Sequence, residues 1–251
     1  MFPILNIGPL AIQSSGLIII IGIWFSMDII EKFSYLFITP DRNFSKNLYW
    51  SLISIIVFAR LAYIIQFPND FFKSPLSIIS LNTALFDFAS GILMATILFV
   101  VLNYRNNINF SASLAAITPG LSLFLIFYSL SLLATGNYFG LPTSMPWGIE
   151  LWGVVRHPLQ IYLMAGASIT FIFVIRQLKL NKMNNIFINF SICLSSLVIF
   201  LDYYRGDGLF QIANVHLFQV VAFLILIISL FKLHFQSKQF VVIKDDNNFY
   251  N

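Results

Sequence analysis

Three arginines, Arg60, Arg156 and Arg205, lie within or directly beside long apolar stretches of the sequence. A charge inside a membrane costs roughly 2.5–3.5 kcal/mol on insertion scales, so a charge that is retained there commonly marks a functional site. The guanidinium group is always protonated and presents a planar fork of donors that matches the oxygens of a phosphate. The three arginines therefore predict a site that binds an anion, and a lipid phosphate is the expected ligand.

Two aspartates accompany these arginines. Asp87 is predicted to lie near the outer side of the membrane, as Arg60 is, and Asp202 precedes Arg205 by one helical turn, which places the two on one helix face. Two interpretations stay open for each pair. The aspartate could take part in chemistry, or it could simply neutralise its arginine.

Arg156 begins the sequence Arg156-His157-Pro158, which is typical of a helix start because proline has no N–H group to leave unpaired there. The free N–H groups of a helix start carry the positive end of the helix dipole and favour an anion. The sequence therefore predicts that Arg156 and this helix end hold a phosphate together. His157 and His216 could each carry a proton, or could each serve as an ordinary hydrogen-bonding residue.

Membrane-spanning helices are the elements that must position these residues. Of the 251 residues, 59% are hydrophobic and 10% are charged, and the mean hydropathy is +0.85. Soluble domains are about 45–50% apolar and about 25% charged, so the composition excludes a soluble enzyme, a nucleic-acid-binding protein and a disordered chain. A span needs about 20 apolar residues. Seven predicted spans satisfy this length, near residues 10–30, 48–66, 83–104, 113–135, 158–175, 186–204 and 215–233.

The basic residues predict how these spans are oriented. If the N-terminus lies outside, the inner segments hold ten of the lysines and arginines and the outer segments hold one, Lys73. Lysine and arginine favour cytoplasmic loops. We therefore predict an all-α, polytopic seven-helix bundle that forms a single transmembrane domain over residues 1–251. Its N-terminus lies outside, its C-terminus lies in the cytoplasm, and an outer loop covers residues 136–157. The three arginines then lie toward the outer side.

Several short motifs resemble those of the bacterial prolipoprotein diacylglyceryl transferase family, in the same order along the chain. RHPLQIY at residues 156–162 resembles the family's RHPSQLYE signature, and DYYRGD at residues 202–207 resembles its EFFRxPD. GPLAIQSSG at residues 8–16, ARLAYII at residues 59–65 and PTSMPWG at residues 142–148 resemble further family segments. The family also has seven spans and an outer N-terminus, as predicted here.

The resemblance implies an enzyme of the bacterial cytoplasmic membrane whose active side faces outward. The family moves a diacylglyceryl group from phosphatidylglycerol to the thiol of a lipobox cysteine in an exported preprotein, and it needs no metal or other cofactor. Arginines would stabilise the departing phosphate, and a base would accept the thiol proton. The implied phosphate-binding residues are Arg156, Arg205 and Arg60. The candidate catalytic residues are Arg205, His157 and Asp87, supported by Gln160, Tyr162 and Asp202.

The chain departs from the family pattern at several polar positions. Its tyrosine, histidine, arginine and asparagine correspond here to Ser15, Ala89, Ser129 and Leu132, and the glutamate that closes RHPSQLYE corresponds to Leu163. Two functions therefore stay open: an active transferase in which other residues supply the missing groups, and a non-catalytic relative that binds lipid within a membrane complex. A transporter that relays charge through its aspartates is less favoured, because the sequence has no repeat symmetry.

Overall fold

The computed structural model describes residues 4–7, 10–39, 43–73, 85–180, 185–206, 211–212 and 215–248. These residues form helices α1 Ser14–Ser34, α2 Phe44–Gln66, α3 Pro68–Lys73, α4 Phe88–Arg105, α5 Phe110–Thr135, α6 Leu159–Lys179, α7 Ile186–Tyr203 and α8 Leu217–Asn248. Short strands pair as three antiparallel hairpins: β1 Ile4–Ile7 with β2 Leu10–Gln13, β3 Ile149–Leu151 with β4 Val154–Arg156, and β5 Gln211–Ile212 with β6 Val215–His216. The protein is mostly helical, as predicted.

Six helices in the described part of the chain are long and apolar enough to cross a membrane. They are α2, α4, α5, α6, α7 and residues Leu217–Gln236 of α8. Their bounds lie within a few residues of the last six predicted spans. The protein is therefore a multi-pass membrane protein, while its seventh span and its orientation stay predictions.

The predicted span near residues 10–30 is wrong at its start. Residues 10–13 form β2, which pairs with β1, and helix α1 begins only at Ser14. The error has a simple cause, because a short apolar run does not by itself distinguish a strand from the first turn of a helix. Helix α1 is nevertheless 21 residues long, which suffices in length for a span.

The chain divides into two compact units, each described here by itself. The small unit is Phe33–Ala116, and the large unit combines Met1–Lys32 with Ile117–Asn251. A single transmembrane domain over residues 1–251 stays a prediction.

In the small unit, α2 packs closely against α4 because small residues meet there. A Cβ atom on Gly91 would lie only 2.8 Å from the Cβ of Ala59, which is fully buried. Toward the start of α2, the Asn47 amide donates to Asn103 at 2.8 Å and accepts from Asn106 at 2.9 Å. These amide bonds add a polar link to an otherwise apolar helix pair.

In the large unit, α1 packs on α5 and α6 packs on α7 through glycines. A Cβ atom on Gly120 of α5 would lie 2.4 Å from Ile30 of α1, and one on Gly166 of α6 would lie 2.4 Å from Leu197 of α7. Helix α7 also packs along α8. The ends of α5, α6, α7 and α8 connect to the segments that carry the candidate site.

Candidate active site

An extended segment, residues 139–141, connects the regions that carry Arg156 and Arg205. The N–H of Gly140 donates to the carbonyl of His157 at 3.0 Å, and the N–H of His157 donates to the carbonyl of Leu141 at 3.1 Å. These two hydrogen bonds hold the backbone of His157, the residue after Arg156, against one edge of the segment.

The opposite edge of the same segment holds the chain around Arg205. The N–H of Leu141 donates to the carbonyl of Tyr204 at 2.8 Å, and the N–H of Gly206 donates to the carbonyl of Phe139 at 2.9 Å. Gly140 and Arg205 form an antiparallel bridge between these hydrogen bonds. The backbones at Arg156–His157 and Tyr204–Gly206 are therefore attached to opposite edges of one three-residue segment.

Gly140 is the residue that permits this close approach. A Cβ atom at this position would lie 2.6 Å from both the Cβ and the carbonyl oxygen of His157. A Cβ atom on Gly206 would lie 2.8 Å from the carbonyl oxygen of Gly140. Glycine lets backbones approach this closely because it has no side chain.

The Arg156 guanidinium contacts neutral groups. Its Nη1 donates to the carbonyl of Gly140 and its Nε donates to the carbonyl of Leu151, both at 3.4 Å. The guanidinium carbon lies 4.8 Å from the ring centre of Phe139, a cation–π distance. Among the residues that the structure describes, no carboxylate pairs with Arg156. Its positive charge is therefore positioned but not neutralised by these contacts.

Arg205, in contrast, has an acidic partner. Its Nη1 lies 3.4 Å from Oδ1 of Asp202, and its guanidinium carbon lies 4.9 Å from the Tyr138 ring centre and 5.8 Å from that of Phe218. Asp202 is only 1% exposed. Asp202 and Arg205 therefore form the ion pair that their spacing indicates, and a role of Asp202 in chemistry stays a prediction.

His216 contacts the same carboxylate. Its Nδ1 lies 3.1 Å from the carbonyl oxygen of Asp202 and 3.2 Å from Oδ2, and the residue is 7% exposed. Sequence reasoning missed this contact, because 14 positions separate the two residues and only the packing of α7 on α8 brings them together.

His157 adjoins a small polar chain. Its Nδ1 lies 3.4 Å from the hydroxyl of Tyr162, which accepts a hydrogen bond from the indole Nε1 of Trp147 at 2.7 Å. Gln160 is fully buried, and its Nε2 donates to the carbonyl of Asn137 at 2.7 Å. These bonds connect the start of α6 to the loop that precedes β3.

Comparison with known proteins now identifies the family. A family model described as prolipoprotein diacylglyceryl transferase matches residues 3–235. The chain belongs to this family.

Relatives named phosphatidylglycerol–prolipoprotein diacylglyceryl transferase match much of the chain. The protein of Wolbachia pipientis subsp. Culex pipiens (strain wPip) is 28% identical over 72% of this chain and 71% of its own length. That of Rickettsia bellii (strain OSU 85-389) is 29% identical over 63% of each, which is less than two thirds. That of Finegoldia magna is 26% identical over 84% of this chain and 86% of its own length. The resemblance of the motifs to this family is confirmed.

Two of the polar positions at which the chain departs from the family are occupied by packed apolar side chains. Leu163 is buried with Leu159 and Leu201, and Leu132 packs against this cluster. Ser129 is fully buried, and its hydroxyl donates to the carbonyl of Leu125 at 2.6 Å within α5. At Leu132 and Leu163, the polar groups expected of the family are therefore replaced by a hydrophobic cluster formed by parts of α5, α6 and α7.

Arg60 and Asp87 belong to the small unit. Arg60 is 8% exposed, and its Nη1 donates to the carbonyl of Leu85 at 2.6 Å. Its guanidinium carbon lies 5.3 Å from the Phe71 ring centre and 5.1 Å from that of Phe86. A phosphate-binding role for Arg60 stays a prediction.

Asp87 caps the N-terminus of α4. Its carboxylate accepts from the hydroxyl of Ser90 at 2.7 Å, from the backbone N–H of Ser90 at 3.3 Å and from the amide of Gln66 at 2.7 Å. The hydrogen bonds from Ser90, and then that from Gln66, lower the pKa of Asp87 below its usual value. A lowered pKa makes this carboxylate a weaker proton acceptor, and its catalytic role stays a prediction.

Replacing Asp87 with alanine is expected to lower the melting temperature by removing the cap. Because the folded-state pKa is lowered from 3.8, the stabilisation is fully present above that pH and is lost as the pH falls through the folded-state value. Thermal unfolding of both proteins in detergent, across this pH range, measures the effect. Asp28→Ala, which removes an exposed carboxylate from α1, is the control. Equal melting curves for wild type and Asp87→Ala at neutral pH would contradict the capping role.

Proposed function

We propose that this protein transfers the diacylglyceryl group of phosphatidylglycerol to the cysteine thiol of a prolipoprotein. Membership of the family supports this proposal, as does the match of residues 3–235 to its model. The observation that carries it is the attachment of the Arg156 and Arg205 segments to opposite edges of residues 139–141. Two guanidinium groups whose backbones are attached to one short segment can bind a phosphodiester, because each can donate two hydrogen bonds to its oxygens.

The reaction forms one bond and breaks one. The cysteine sulfur attacks the glycerol carbon that carries the phosphate ester, a C–S thioether bond forms, and the C–O bond to the phosphate breaks. The electron pair of that bond leaves with glycerol phosphate, and the thiol proton passes to a base. Arg156 and Arg205 stabilise the negative charge on the departing phosphate, the kind of stabilisation that commonly contributes most to such a rate.

His157 is the proposed acceptor of the thiol proton. Imidazole is a common general base in enzymes, and the contact of its Nδ1 with the Tyr162 hydroxyl at 3.4 Å orients the ring. Gln160 supports the loop, and Asp202 holds Arg205. Asp87 is a second candidate acceptor.

We further propose seven spans with α1 as the first, an outer N-terminus and a cytoplasmic C-terminus, in the bacterial inner membrane. The excess of basic residues in the predicted inner segments supports this orientation. The active side then faces outward, where an exported acceptor would meet it.

The direct test is transfer of labelled diacylglyceryl from phosphatidylglycerol to a lipobox peptide by the purified protein. The expected product is a peptide whose mass rises by one diacylglyceryl group, through a linkage that resists mild base as a thioether does. A peptide with serine in place of cysteine is the control and should gain nothing. Folded protein that binds the lipid but forms no thioether would reject transfer and fit the non-catalytic relative instead.

A further inference from the structure

The buried carboxylate of Asp202 lies between the guanidinium of Arg205, which is always charged, and the imidazole of His216. Arg205 Nη1 approaches Oδ1 of Asp202 at 3.4 Å, while Nδ1 of His216 approaches Oδ2 at 3.2 Å. Asp202 is at the end of α7, Arg205 follows that helix directly, and His216 closes β6 just before α8. The two partners therefore contact opposite oxygens of the same group.

We propose that His216 is a positioning residue that sets how strongly Asp202 holds Arg205, so that binding of an anionic lipid head group depends on pH. The inference rests on the proposed function, in which Arg205 contacts the lipid phosphate. When His216 is neutral, the negative charge of Asp202 balances the positive charge of Arg205, and the net charge of the three side chains is zero. When His216 is protonated, it shares the carboxylate and the three side chains carry one net positive charge. An opposite charge favours the phosphate, so protonation of His216 strengthens lipid binding.

Two aromatic rings that carry no charge near neutral pH face the Arg205 guanidinium. In the described part of the chain, the rings of Tyr138 and Phe218 lie over the Arg205 guanidinium. A second histidine, His157, lies near the same chain segment, with its ring centre 5.6 Å from that of Tyr204. A phosphodiester keeps its single charge throughout this range.

The chain contains three histidines, His157, His216 and His234, so a histidine-dependent pH profile has a short set of possible sources. His234 lies 17 residues after the first residue of α8, about 25 Å along the helix at 1.5 Å per residue. Its replacement is therefore a matched control for removing one imidazole. His157 is the second histidine to be tested, by His157→Gln.

The experiment measures the dissociation constant of short-chain phosphatidylglycerol in detergent, between about pH 5.5 and about pH 8, where histidine titrates. We expect wild type and His234→Gln to bind on the order of fivefold more tightly at the lower pH. The dissociation constant of His216→Gln should not change with pH. His216→Lys carries a permanent charge, so its affinity at the higher pH should equal that of wild type at the lower pH. A neutral diacylglycerol is expected to bind without pH dependence.

The outcomes separate this inference from the proposed function. If the pH profile survives in folded His216→Gln or His216→Lys, or disappears only in His157→Gln, His216 is not the determinant and the inference is wrong. Should one His216 variant not fold, the other still decides. No binding of phosphatidylglycerol at any pH overturns both proposals. If lipid binding depends on pH through His216 but the protein transfers no diacylglyceryl group, the inference about His216 is supported and the proposed transfer is wrong.

Discussion

Replacing Arg205 with methionine is expected to lower the free energy of unfolding by about 3–5 kcal/mol and to abolish lipid transfer. Asp202 is almost completely buried, and removing one partner of a buried ion pair leaves an uncompensated charge. Unfolding in detergent at neutral pH measures the effect.

A second substitution separates stability from function in this test. Asp202→Asn in the Arg205→Met background removes the unpaired charge, so it should restore most of the stability without restoring transfer. Arg105→Met removes an exposed arginine from the last turn of α4 and is expected to change stability by less than about 0.5 kcal/mol. If Arg205→Met melts like wild type at neutral pH, the ion pair contributes little and this explanation is wrong.

Gly140→Ala is expected to destabilise the protein by about 1–3 kcal/mol, the usual cost of an overpacked site. The added methyl group would lie 2.6 Å from the backbone oxygen of His157, and backbone atoms cannot rotate away as a side chain can. The displacement should reach both arginine segments, because both are hydrogen-bonded to residues 139–141. Binding of phosphatidylglycerol is therefore expected to weaken together with stability.

The matched control is Gly16→Ala, since a Cβ atom there meets nothing within 4 Å. Alanine in place of glycine inside a helix gains about 1 kcal/mol, so this variant should be at least as stable as wild type. Melting curves and lipid titrations of the two variants give the comparison. Wild-type lipid affinity in Gly140→Ala would mean that the close approach at Gly140 does not position the site.

Much of the helical architecture could be predicted from the sequence. An apolar run of about 20 residues crosses a membrane as a helix, because only a helix satisfies its own backbone hydrogen bonds there. The last six predicted spans correspond to helices of the structure. The short strands could not be predicted in this way. Residues 10–12 are apolar like a helix start, and only the pairing of residues 10–13 with β1 distinguishes them.

The site was predictable in its residue types but not in its contacts. The one-turn spacing of Asp202 and Arg205 predicted their ion pair, whereas the contact with His216 depends on how α7 packs against α8. The capping role of Asp87 had a local signal, because an aspartate directly before an apolar run is typical of a helix N-terminus. The attachment of Arg156 to Gly140 involves 16 positions of separation and no local signal.

The central claim is that Arg156 and Arg205 hold the phosphate of phosphatidylglycerol, and its most direct test is the affinity of a double variant for that lipid. Arg156→Gln with Arg205→Gln is expected to weaken binding by on the order of a hundredfold, because two charge-assisted phosphate contacts are lost. Arg105→Gln with Arg176→Gln removes the same charge from the last turns of α4 and α6 and should bind as wild type does. A folded Arg156/Arg205 double variant that binds phosphatidylglycerol with wild-type affinity would contradict the account.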